Sequence, residues 1–412
     1  MAVGTPNGNA DARRSAENLY VRDLVVRSSI DLVQEIASHT FTDYVPGQRK
    51  VINTAVKPVG LLKRFYLHIT ADLAGQTLGA LDRTRLGGAN ILSNVILTDL
   101  NNQVRIQTPG WHLHALATVR RGFPFNGAFA PVINTNVTAG TAPVISGALS
   151  AMDLGDNLAL MSIPATIAAA GAPSIRWFYE LPVSYGDTDL TGSIWANTQN
   201  AAMNLQLEVN PDFFVTNAQD PLMAVYQSAD ADIAGADITT MTIRVYQHVL
   251  DQLPVNQQTG QVMLPGMDLS TVYLLNNTDI TGLTANVETA IPFANWRQFL
   301  STFVLYDGNN ATGFRSVSDV AHVALQSANF TNFFKVDPRM NACFVRNQIS
   351  ADFPDGVHFF NHRGKPIVTQ QYGNMELLFQ PIAPTSGAHL RVGYESLALQ
   401  SVMNMAGSIF QG

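Results

Sequence analysis

A chain of 412 residues is too long for one ordinary hydrophobic core and comfortable for two. Hydrophobic residues make up 46%, which supports packed cores and excludes a disordered chain, whereas charged residues make up only 13%, well below the usual share of a soluble domain. So little charge leaves little surface meant for bulk water and points to extensive subunit contacts, and a net charge of −7 speaks against a broad nucleic-acid footprint.

Met1 to Asn9 is rich in Gly and Asn, with no basic start or apolar run, and predicts no secretory signal. Asp11 to His39 follows as the one clear helix. Val21, Val25, Val26, Ile30, Leu32, Val33 and Ile36 share one broad face of a helical wheel, and Asp23, Arg27, Asp31 and Glu35 follow one another at four-residue spacing on the other. Arg13, Arg14, Arg22 and Arg27 all fall in this arm, with Arg22 on the apolar side. Two readings fit. The helix packs on its own or a neighbouring subunit, or it lies on a lipid surface with its arginines reaching the head groups.

From Thr40 onward the pattern is that of strands. Thr54-Ala55-Val56 precedes Lys63-Arg64-Phe65-Tyr66-Leu67-His68-Ile69, and Thr289-Ala290-Ile291 precedes Arg297-Gln298-Phe299-Leu300-Ser301-Thr302-Phe303. Met203 to Pro254 holds two alternating runs: Met203, Leu205, Leu207 and Val209, then Met241, Ile243 and Val245. A shorter version closes the chain in Met375 to Pro381 and Leu390-Arg391-Val392-Gly393-Tyr394. Matching openings and matching endings predict one fold built twice. The longer first copy carries its excess in Gly122 to Met152, an uncharged loop, and in Asp212 to Asp237, an insertion ending in the acidic tip Asp230, Asp232 and Asp237. Many short strands, scattered turn residues and little helical periodicity predict all-β sandwiches of the jelly-roll type.

The constellations that could carry chemistry are few. His112-Leu113-His114 on a strand would point both rings to one face, as in a metal-binding cupin, but Ala115 to Val119 offers no carboxylate, so structural histidines beside a buried Trp are expected. Leu158 to Ile175, the longest candidate span, is Ala-rich and interrupted by Pro164 and Pro173, which predicts no membrane crossing. Asp187-Thr188-Asp189-Leu190-Thr191-Gly192 resembles half of a calcium loop, yet its twelfth position is Thr198 where a Glu is required; an Asp-capped turn leading into a short helix is expected instead. The acidic tip reads as a solvated loop. Cys343 is the only cysteine, so no intrachain disulfide forms, a reducing compartment fits, and its apolar neighbours predict a buried, inert thiol. No P-loop, Gly-x-Gly-x-x-Gly, His-Glu-x-x-His or Gly-x-Ser-x-Gly occurs, and with no catalytic, cofactor or metal residue to assign, the expectation is a structural protein and not an enzyme.

Several stretches carry a family resemblance. Gly110-Trp111-His112-Leu113-His114, Asp189-Leu190-Thr191-Gly192, Pro221 to Gln227, Asp251-Gln252-Leu253-Pro254-Val255, Asp268-Leu269-Ser270-Thr271, Ala351-Asp352-Phe353-Pro354, Gly356-Val357, Lys365-Pro366-Ile367 and Gln371-Tyr372-Gly373-Asn374 are similar, in order, to the major capsid proteins of tectiviruses. These are tailless bacterial viruses with an icosahedral shell over an internal membrane.

The resemblance implies a double jelly roll, two eight-stranded sandwiches in tandem behind an N-terminal amphipathic helix. Three chains would form a homotrimer of near-hexagonal outline. It implies a major capsid protein that assembles with itself and with vertex and minor membrane proteins, with the N-terminal helix near the internal membrane and no direct nucleic-acid contact. The expected divisions are an arm over 1–45, a first roll over 46–252, a second over 253–400 and a tail over 401–412, with residence in the virion and, before assembly, in the host cytoplasm. A minor vertex or spike protein of the same virion, and more remotely a jelly-roll carbohydrate-binding or cupin-type protein, are the alternatives.

Overall fold

The computed structural model describes residues 8–84, 86–121, 161–197, 202–216, 223–308, 317–327, 334–349, 356–372 and 374–401. The first half contains β1 (Ile30–Phe41), β2 (Lys50–Ala55), β3 (Leu61–Ala74), β4 (Leu81–Arg83), β5 (Leu92–Thr98), β6 (Val104–Thr108), β7 (Thr166–Ile167), β8 (Ser174–Pro182), β9 (Ile194–Trp195), β10 (Asn204–Val209), β11 (Phe214–Val215), β12 (Tyr226–Ser228) and β13 (Asp237–Asp251). The second contains β14 (Thr271–Ile280), β15 (Thr289–Pro292), β16 (Arg297–Asp307), β17 (Val320–Ser327), β18 (Phe334–Val336), β19 (Val357–Asn361), β20 (Ile367–Val368), β21 (Met375–Pro381) and β22 (His389–Leu399). Helices α1 (Gly8–Ser28), α2 (Gly110–Arg121), α3 (Gly266–Leu269), α4 (Pro338–Ile349) and α5 (Thr369–Tyr372) are attached to this all-β framework.

The repeated stretches of sequence occupy repeated positions. In the first half β10 pairs with β2 and β13 with β3; in the second β21 pairs with β15 and β22 with β16, all antiparallel. The alternation is realised as expected, since Met241, Ile243 and Val245 are buried opposite Ala71, Ile69 and Leu67. Each fully buried aliphatic side chain contributes roughly 1.5–3 kcal/mol. Two sheets then have one order, β1-β13-β3-β8 and β14-β22-β16-β19, and facing them stand β2-β10-β5-β6 and β15-β21-β17-β18. A parallel pairing of β14 with β6 (Leu275 opposite Ile106) joins the halves. The first core runs through this seam to include Tyr273, Leu275, Phe303, Leu305 and Phe359, while Ile291, Val304, Phe379 and Val392 belong to a separate core of the second half.

Three expectations are corrected. The helix expected over Asp11–His39 ends at Ser28, and residues 30–41, inside the expected arm, form β1, paired along its length with β13. Ser28 Oγ bonds back to the Leu24 carbonyl (2.5 Å), satisfying one of the helix's last acceptors. Leu32 and Ile36, four residues apart, lie on one side of a helix but also of a strand, and their packing against the first core makes the strand win. Second, Asp212–Asp237 is not a bare surface insertion. Its β11 and β12 join β4 and β7 in a small sheet that buries Phe213, Phe214, Val225 and Tyr226, while Asp230 and Asp232 of the acidic end are exposed. Third, the two histidines, weighed as a pair on one face of a strand, lie on the helix Gly110–Arg121, buried beside Trp111. Trp111 through Thr118 are buried on every side, so the apolar run carries no single-face signal.

Candidate assembly surfaces

The arm helix is held by charge. Arg22 donates from Nε and Nη2 to the two carboxylate oxygens of Asp268, both at 2.6 Å, and its Nη1 lies 3.3 Å from Asp189. Asn18 Nδ2 donates to Asp268 Oδ1 (2.9 Å), and its own Oδ1 accepts from the Met267 amide (2.9 Å). A bidentate guanidinium on a buried carboxylate is a strong, directional contact. Beside it Val25 packs with Leu61, Leu190, Leu250 and Leu253. The helix is thereby pinned to α3, where the chain enters its second half. Of the four arm arginines, Arg22 is spent on this contact, Arg27 pairs with Asp23 four residues earlier (2.8 Å), and Arg13 and Arg14 are exposed. Leu19 and Tyr20 are exposed on the same helix.

Between the halves lies a buried ionic cluster. Glu395 on β22 is fully buried and accepts from Arg120 of α2 (2.9 Å), the Tyr273 hydroxyl (2.7 Å), Ser301 Oγ (2.6 Å) and Arg363 Nε (3.2 Å). Burial alone would push this carboxyl up, but Arg363 and Arg120 reverse the effect and hold it well below the ordinary carboxylate range. Every member but Arg120 belongs to the second half, so the cluster ties the two halves together. A third group closes the end of β14-β22-β16: His389 contacts Asp279 and Asp307, both at 2.8 Å, and Arg391 contacts Asp307 at 2.9 Å. Hydrogen bonds to Asp279 and then Asp307 raise His389 to about 9.

The residues singled out in the sequence are dispersed. His112 accepts or donates at Thr108 Oγ1 (2.6 Å) and meets Phe303 edge-on, whereas His114 lies against Trp177 with ring centres 5.1 Å apart. Two residues apart on a helix, the rings diverge. Burial brings His112 down to about 3, so the ring is neutral and acts in packing. Asp189 Oδ1 caps its turn through the Thr191 amide (3.0 Å), but the chain continues into β9 and not into a short helix, because the next residues complete a strand against β3. Asp187 instead pairs with Arg64. In the acidic tip, Asp230 accepts from Gln76 Nε2 (3.3 Å) and Asp232 from the Ala234 amide (3.0 Å). Cys343 is exposed on α4, contrary to the buried thiol expected, because the helix turns Asn341 and Val345 inward and Cys343 away from them. The loop Gly122–Met152 and the tail Met403–Gly412 lie outside the described residues. Among the described residues no helix is long and apolar enough to cross a membrane, and no group of three or more His, Cys, Asp or Glu side chains is arranged to hold a metal ion.

Residues 16–253 match the family of P3 major capsid protein N-terminal domains, and residues 270–410 match the P3 major capsid protein C-terminal domains. The chain belongs to the P3 major capsid protein family. It is 34% identical over 397 residues to the major capsid protein P3 of Enterobacteria phage PRD1, covering 96% of this chain and 94% of that one. The fold recurs at 10% identity in the major capsid protein of Sulfolobus turreted icosahedral virus, with a TM-score of 0.59 over 90% of this chain and 97% of that one. It recurs again at 11% identity in PBCV-1 VP54, with a TM-score of 0.55 over 90% of this chain and 94% of that one. The P3 family boundary between residues 253 and 270 falls at the α3 segment that anchors the arm. Sequence reasoning flagged Arg22 but missed Asp268 and Asn18 as its partners, and it missed the Glu395 cluster. The available signal was a lone Glu in the apolar run Leu390 to Leu399.

Proposed function

We propose that this P3-family chain assembles as homotrimers of near-hexagonal outline, which tile an icosahedral shell over an internal membrane. The observation that carries this reading is the repeated sheet order, β1-β13-β3-β8 and β14-β22-β16-β19. With the facing sheets, each half is read as an eight-stranded jelly roll, and three chains then present six similar rolls around one axis. The first roll takes in β1, so its start moves from residue 46 to residue 30. The second begins after Leu253. A shell protein of this kind meets vertex and minor membrane proteins, makes no direct contact with nucleic acid, and passes through the host cytoplasm before joining the virion. The relative from phage PRD1 is a major capsid protein over almost the whole of this length, which supports the shell role.

Light scattering of the purified chain at micromolar concentration tests the trimer: a mass of three chains is expected, and a monodisperse monomer overturns it. The lipid-side role is assigned to exposed Arg13, Arg14 and Arg27. Replacing all three by Gln is expected to leave trimers intact and to weaken co-sedimentation with anionic phospholipid vesicles. Unchanged sedimentation removes the arm from the membrane.

A further inference from the structure

The two halves differ in what covers one equivalent surface. In the second half, the outward side of β14-β22-β16-β19 lies beneath α2. His112 rests edge-on against Phe303, with ring centres 5.5 Å apart, and a Cβ on Gly393 would come within 2.7 Å of the His112 ring. Two turns along, Arg120 reaches the Tyr273 hydroxyl (2.8 Å) and Glu395 (2.9 Å). In the first half, β13 and β3 stand where β22 and β16 stand. Aligning Ile243-Arg244-Val245 with Leu390-Arg391-Val392 puts Tyr246 at the place of Gly393, and the pairing of Tyr246 with Tyr66 at the place of Gly393 with Phe303. On this side Tyr66, His68, Phe178 and Tyr246 line an open depression of about 370 Å³, with Tyr66 and Phe178 stacked at 5.5 Å. Among the described residues no element is seated on it.

The counterpart of α2 has the opposite deficiency. Helix α4 lies between β18 and β19 as α2 lies between β6 and β8, with the short β7 also intervening after α2, and both helices have 12 residues. Counted from their first residues, His112, Leu116 and Arg120 correspond to Met340, Phe344 and Gln348. The inner side of α4 is satisfied, since Val345 is buried and Asn341 donates to the Phe359 carbonyl (2.9 Å). Its outer side shows Met340 at 49% and Phe344 at 43% exposure, with Cys343 between them. Three such residues at i, i+3 and i+4 make an apolar stripe facing outward.

We propose that α4 of one chain docks in the Tyr66–Tyr246 depression of a second copy, repeating between chains the contact that α2 makes within one. This deepens the trimer reading and rests on it. A contact from a second half to a first half is heterologous, so it propagates around a ring and is satisfied when the ring closes. The two partners have exchanged sizes. Where Gly393 leaves room for a flat imidazole, Tyr246 fills the space, and the unbranched Met340 thioether adapts to an aromatic surface. The charge around the depression is mixed, with Glu35 opposite Tyr246 and with Arg244 and Arg176 near His68, so the apolar stripe carries the contact.

Cys343 is the only cysteine of the chain and lies within the stripe, which makes the contact directly testable. In Tyr246→Cys, mild oxidation is expected to convert the monomer band of a non-reducing gel into covalent dimers and trimers. The wild type and Leu78→Cys, altered at an exposed position elsewhere in the first half, are expected to stay monomeric on the gel. His68→Cys serves where Tyr246→Cys does not fold. Maleimide labelling of wild-type Cys343 is expected to be lost on trimerisation. Trimers by light scattering with no cross-link in either variant, and with Cys343 still freely labelled, overturn the docking while the trimer reading survives. Absence of trimers in the wild type overturns the trimer reading itself.

Discussion

The sheets β1-β13-β3-β8 and β14-β22-β16-β19 share strand order and pairing, yet their outward sides have opposite characters. At the place where the second sheet buries Glu395 between two arginines, the first carries His248, which reaches the exposed Asp31 at 2.6 Å. Where the second presses Gly393 against a helix of its own chain, the first presents Tyr246. Duplication preserved what the backbone requires, namely ladder pairing and an apolar inner side. The outward side chains diverged according to what lies against them. A carboxylate is tolerable inside only because Arg120 and Arg363 arrive with it.

The largest effect that can break this contrast is expected at Glu395. Glu395→Ala leaves the nearly buried Arg120 and the part-buried Arg363 without their carboxylate and is expected to cost about 3–5 kcal/mol in chemical denaturation. His248→Ala, at the equivalent but more accessible place, is expected to cost no more than about 1 kcal/mol. Equal losses would show that the two sheets are covered alike. Next comes Gly393→Ala, which forces a Cβ into the His112 ring and is expected to destabilise the fold by about 1–3 kcal/mol. Tyr246→Ala is expected to leave the monomer's thermal midpoint nearly unchanged and to weaken the trimer.

A smaller, local effect is expected at the arm. Arg22→Ala removes the bidentate contact to Asp268, so limited proteolysis within residues 8–28 is expected to accelerate while the unfolding midpoint of the β framework holds. Truncation behaves differently with its end point: removing residues up to Glu17 spares the Asn18 and Arg22 contacts, whereas removing residues up to His39 strips most of β1 from β13 and is expected to unfold the first half. The smallest effect concerns pH. His389 is raised in the folded chain from 6.5 to about 9, so its stabilising contribution is complete below pH 6.5 and is lost as pH climbs through about 9. Denaturant midpoints are expected to fall across that window, and His389→Asn is expected to flatten the slope. A slope unchanged in the variant would assign it to other groups.

Much of the fold was legible in the chain. The closing strands around Leu205, Leu207, Ile243, Val245 and Val392 follow from alternation, because neighbours two residues apart must share a side of a sheet. The duplication followed from the same runs recurring in order. The arm was half legible: Val21, Val25 and Val26 lie on the packed side of α1, but Leu32 and Ile36 satisfy helix and strand spacing equally, so the end at Ser28 required β13 as a partner. The burial of α2 on every side, the exposure of Cys343 and the gathering of Arg120, Tyr273, Ser301, Arg363 and Glu395 were not legible. Nothing in the local sequence relates residues that far apart. The sequence by itself determined an all-β chain built twice with an arm in front, since period and repetition are properties of neighbours along the chain. Only the tertiary structure decided which outward side lies beneath α2, since that depends on elements brought together from distant parts of the chain.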